Sequence, residues 1–171
     1  TQYYVVSLIG KTLVLLIAPI NTIVISYLTK RKERLTRSQF GKAVLAGGGV
    51  SLAFFVACQI GTPLFVWLFY RNLYESVKGI VTVVNLAQIL GLFSAFLFIL
   101  VLTFTDERWQ LWIQLAHFCI LLVSSVLAAR TYGMMGFAVA SLGANSLRVA
   151  AVVILGIVKA GKDIGDRNAD R

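Results

Sequence analysis

Five apolar runs, separated by short polar breaks, dictate what this chain can become: residues 3–28, 43–70, 80–104, 109–129 and 134–158. A helix needs about 20 apolar residues to cross a hydrocarbon layer about 30 Å thick, and every run is that long. None alternates in the ten-residue pattern of a barrel strand. Backbone groups in lipid have to be satisfied within their own segment, so each run is expected to be a helix. Composition agrees, with 58% of the 171 residues hydrophobic and 13% charged, against about 25% charged in an average soluble domain. The predicted fold is all-α, a polytopic transmembrane bundle of about five spans. Residues 159–171, of mixed charge and without an apolar face, are expected to fray into water as a tail.

The basic residues orient the bundle. The stretch between the first two runs carries Lys30, Arg31, Lys32, Arg34, Arg37 and Lys42 against one acid, Glu33. Such loops stay on the cytoplasmic side. Alternating from there, the inner segments hold these six plus Arg108, Lys159, Lys162, Arg167 and Arg171, while the outer ones hold Arg71, Lys78 and Arg130. The first span therefore enters from outside, and the C-terminal tail is expected in the cytoplasm. Tyr3, Tyr4, Trp67, Tyr70, Trp109, Trp112 and Tyr132 fall at span boundaries, where aromatic rings anchor at the interface. The net charge of +9 thus reflects topology, and nucleic acid is not an expected partner. Thr1 in place of Met, with no basic leader before the first run, predicts a piece of a longer chain. Cys58 and Cys119 lie within apolar runs, where a thiol acts as a small hydrophobe.

Arg148 is the informative residue within the spans. It stands about ten residues, or about 15 Å, from either end of the fifth run, too deep to snorkel easily. An arginine at mid-span costs about 2.5–3.5 kcal/mol, so it is expected to face a cavity or a partner. Ser141, Asn145 and Arg148 follow one another at i, i+4 and i+7, one polar stripe on one helix face. Two readings stand: an arginine lining a substrate cavity, or a structural one bonded to neighbouring helix carbonyls. No carboxylate lies deep in any run to neutralise it, and a bare guanidinium suits a phosphate-bearing ligand. Lys11 either joins that cavity or snorkels to the outer headgroups.

The fourth run carries Gln110, Gln114, His117 and Ser124 near one face, a hydrogen-bonding seam in which His117 is a candidate proton relay. Thr82, Asn85 and Gln88, with Ser51, Gln59 and Thr62, read as polar glue between helices. Pro19 and Pro63 interrupt apolar runs and are candidate hinges or static kinks. Gly47, Gly48 and Gly49 lack the context of a phosphate loop and are expected to allow close helix contact. No carboxylate pair, metal-ligand spacing or nucleophile motif is present, so neither an enzyme nor a bound cofactor is expected.

Three local patterns carry a resemblance. Ala18-Pro19, then Ser26 and the basic stretch to Phe40, is similar to a proline-bearing helix with a charged cytoplasmic linker. Thr62-Pro63-Leu64-Phe65, running to Leu68-Phe69 and Tyr74, resembles a helix that ends in a leucine-phenylalanine turn. Tyr132-Gly133-Met134-Met135-Gly136-Phe137-Ala138 resembles the Tyr-Gly-x-x-Gly-x-Ala opening of a last core helix. All three belong to bacterial polysaccharide or O-antigen flippases of the multidrug/oligosaccharidyl-lipid/polysaccharide exporter superfamily. Arg71 departs from that pattern, which has glycine there. The resemblance implies the last five of about twelve helices, most of one lobe, in the bacterial inner membrane. The implied partners are an undecaprenyl-pyrophosphate-linked oligosaccharide, membrane lipids and the missing N-terminal helices. A non-transporting membrane scaffold or assembly subunit, and a drug exporter of the same fold, are the competing expectations.

Overall fold

The computed structural model describes the backbone of residues 2–30, 36–102 and 104–169. Helix α1 spans Gln2–Lys30, α2 Arg37–Phe69, α3 Arg71–Val77 and α4 Val81–Leu102. The helical stretch Glu107–Ala169 breaks at Gly133, whose φ of 60° and ψ of −138° are not helical. It is therefore two helices, α5 (107–132) and α6 (134–169). Among the described residues there is no strand.

Several boundaries differ from those drawn by hydropathy, each for a local reason. Helix α2 begins at Arg37 rather than near 43, because Thr36 and Gln39 form a reciprocal cap. The Thr36 hydroxyl accepts from the Gln39 amide at 3.3 Å, and the Gln39 side-chain oxygen accepts from the Thr36 amide at 3.2 Å. Arg37 and Lys42 thus belong to the first turns of α2, while residues 31–35 lie outside the described set. The stretch after α2 is a short helix, α3, with Lys78 paired to Glu75. The turn expected over 130–133 is reduced to Gly133 alone. In place of a frayed tail, the backbone stays helical through Ala169.

Three helical stretches are long and apolar enough to cross a membrane: Arg37–Phe69, Val81–Leu102 and Arg108–Ala160, the last containing α5 and most of α6. Helix α4 is the centre of the packing, with 44% of its most apolar window buried against 6% for α2. The outer helices turn apolar side chains away from the protein, among them Leu45 and Ile60 of α2, Leu111 and Phe118 of α5, and Leu147 and Ile154 of α6. Such a surface associates in water and is solvated by lipid chains.

Two apolar cores occupy opposite ends of the bundle. One joins the start of α1 (Val5, Val6), the end of α2 (Val66), α3 (Val77) and the starts of α4 (Val81, Val84) and α6 (Ala138). The other joins the start of α2 (Phe40), the end of α4 (Leu97, Val101), Ile113 of α5 and Val152 of α6. Successive long helices therefore alternate in direction. Phe40 is fully buried in the second core, and a Cβ at Gly156 would overlap its ring, so that glycine sets how closely α2 and α6 approach.

Candidate functional site

Polar side chains collect in the layer between the two cores. Asn85 of α4 is buried and donates to the Cys58 carbonyl at 3.1 Å and to the Gln59 side-chain oxygen at 3.0 Å. It accepts from the Thr62 hydroxyl at 3.2 Å, and Gln59 donates onward to Thr82 at 2.9 Å. The α2 members occupy the turn before Pro63, which cannot supply an amide to the Gln59 carbonyl. Four of the six residues read as helix glue thus meet in one network. Ser51 lies elsewhere, lining a groove, and the Gln88 side-chain oxygen is buried without a partner.

The second polar group joins α4, α5 and α6. Asn145 donates to the Ala87 carbonyl at 2.8 Å, and its oxygen lies 3.2 Å from His117 Nε2. It packs over Gly91, where a Cβ would stand at ordinary contact distance, 3.4 Å, from the Asn145 amide nitrogen. One turn further along α6, the Arg148 guanidinium lies over the Phe98 ring, 5.3 Å from its centroid. Arg148 Nε is buried without a hydrogen-bond partner. No carbonyl or carboxylate among the described residues neutralises or caps that guanidinium. A cation over a desolvated ring gains about 2 kcal/mol, against about 2.5–3.5 kcal/mol for placing the charge at mid-span. Phe98 alone leaves the charge incompletely stabilised.

The other sequence candidates separate from this pair. Ser141 is buried one turn beyond Phe137, whose ring meets that of Tyr3 of α1 edge-on at 4.8 Å. It is part of the α1–α6 contact. Lys11 is exposed and its ammonium sits 4.5 Å from the centroid of Tyr4, towards the start of α1. Arg148 contacts the other end of α4, so the two cations point to opposite ends of the bundle, and Lys11 has the placement of a snorkelling lysine. In the α5 seam His117 alone bonds to another long helix. Gln110 binds Thr105 and Ser124 binds the Leu121 carbonyl of its own helix. Pro19 is exposed within α1, and α1 and α2 both run unbroken through their prolines.

A groove that the sequence reading missed lies between α1, α2 and α4, with a volume of about 280 Å³. It uses the face of α4 formed by Ile89, Leu92, Phe93 and Phe96. At 100° per residue that face is opposite the one carrying Ala87, Gly91 and Phe98. Its legible signal was Gly47, where a Cβ would press on the rings of Phe96 and Phe93. Comparison with protein-family models, with curated proteins and with solved structures returns no match.

Proposed function

We propose that this chain forms most of one lobe of a transporter that moves a lipid-linked oligosaccharide, undecaprenyl-pyrophosphate its carrier, across the bacterial cytoplasmic membrane. The carrying observation is Arg148, a mid-span guanidinium that lies on Phe98 and has no anion or carbonyl to answer it. A phosphate group is one that such a fork binds bidentately. In this reading Ser141 and Asn145 pack α6 within its own lobe, and Arg148 is the stripe residue reached from the space between lobes. Arg148 holds the phosphate, Asn145 and His117 fix the helices around it, and the sugar follows through the space between lobes. The charge asymmetry of the loops supports a cytoplasmic basic linker and C-terminus. Alternation of helix direction is what five spans with that topology require.

A scaffold reading draws on Asn145 and Ser141, both engaged in helix contacts. Arg148 discriminates the two. In cells whose only copy is the full-length gene, Arg148→Gln at wild-type membrane level is expected to cut surface polysaccharide at least tenfold, the scale of a lost hydrogen bond to a charged group. Lipid-linked repeat units should then accumulate in the cytoplasmic leaflet, and Arg148→Lys should retain part of the activity. Full surface polysaccharide in the Arg148→Gln strain would contradict the proposal and favour the scaffold.

A further inference from the structure

The groove between α1, α2 and α4 plays no part in that mechanism. Its walls are Ile17 and Asn21 of α1, Val50 and Ser51 of α2, and Phe93 and Phe96 at its base on α4. Two of these six are polar, and the volume of about 280 Å³ lies below the 300–1,000 Å³ of ordinary small-molecule pockets. The space therefore matches a single narrow chain. It lies in the half of the bundle where α1 ends and α2 begins. Lys42 precedes Ala46 of the groove wall by one turn on the same face of α2, and its side chain is exposed. Arg37 is exposed in the first turn of the same helix. With the exposed Lys42 one turn beyond its lining, the apolar groove complements an amphiphile with an anionic head and a thin tail.

We infer that this groove holds one acyl chain of an anionic membrane phospholipid whose phosphate rests on Lys42. A bound transport substrate fits the groove less well, because Arg148 and the groove occupy opposite faces of α4. The inference stands on the groove and Lys42, independently of the transport reading.

The test uses the full chain with Trp67, Trp109 and Trp112 replaced by Phe and one reporter tryptophan, Val50→Trp. The protein is reconstituted in phosphatidylcholine vesicles containing brominated phosphatidylglycerol or, at equal mole fraction, brominated phosphatidylcholine. Phe54→Trp reports on the same groove should Val50→Trp not assemble, and Ile60→Trp reports on the lipid-facing side of α2. At low salt the groove tryptophan is expected to be quenched with about fivefold preference for the anionic lipid, the scale of one basic residue near a headgroup. Lys42→Gln should reduce that preference below twofold, and Ile60→Trp should show none. Equal quenching by both lipids, a preference that survives Lys42→Gln, or displacement of the brominated lipid by trace polyprenyl phosphate would each overturn the inference.

Discussion

Asn85 of α4 and Arg148 of α6 are both polar residues within long apolar helices, yet their surroundings predict opposite responses to substitution. Asn85 makes three side-chain hydrogen bonds to α2. Interhelical bonds in membranes average about 0.6 kcal/mol each, so Asn85→Leu should destabilise the protein by about 2 kcal/mol and lower its thermal midpoint in detergent. Arg148 has no polar partner to strand, and Arg148→Met removes an incompletely stabilised charge. Its midpoint should rise or stay level while transport falls, the pattern of a group kept for function at the expense of stability. A lowered midpoint for Arg148→Met would make the arginine structural.

Among the elements, the break at Gly133 and the turn before Pro63 are the places where backbone chemistry decides geometry. Gly133 has φ 60° and ψ −138°, a region closed to side-chain-bearing residues at a cost of about 1–3 kcal/mol. Gly133→Val should therefore lower stability by about that amount, measured by thermal unfolding in detergent, although nothing lies within 4 Å of a Cβ there. At Pro63 the Asn85 network fastens the preceding turn, which opposes hinge motion there. Pro63→Ala is accordingly expected to change transport less than twofold; a tenfold loss would make it a hinge.

Hydropathy located the helical segments because lipid-facing and buried positions are both apolar, and that same fact hid the boundaries. Thr36 and Gln39 extend α2 through a polar cap that a hydropathy window reads as loop, and Gly133 turns the chain in a single residue. Arg148 was legible as a lone deep charge, and the Asn85 network as polar residues at helical spacing. The separation of Lys11 from Arg148 was not, because it depends on how α1 and α6 lie against α4. The groove was legible only through Gly47, because its walls belong to three helices.

For the whole molecule, two apolar end cores, a polar middle and an apolar exterior describe a protein solvated by lipid chains. Washing membranes with alkaline carbonate should leave the chain in the pellet; release into the supernatant would contradict an integral membrane protein. In the transport reading, water and an anionic ligand reach the Arg148 guanidinium, whose Nε has no hydrogen-bond partner within the protein. This access is tested most directly with Arg148→Cys in the full-length protein lacking Cys58 and Cys119, treated with a membrane-impermeant thiosulfonate that attaches a quaternary ammonium. Position 148 should react, and the restored positive charge should recover transport. An unreactive thiol at 148, under conditions where an exposed control cysteine is fully labelled, would contradict it.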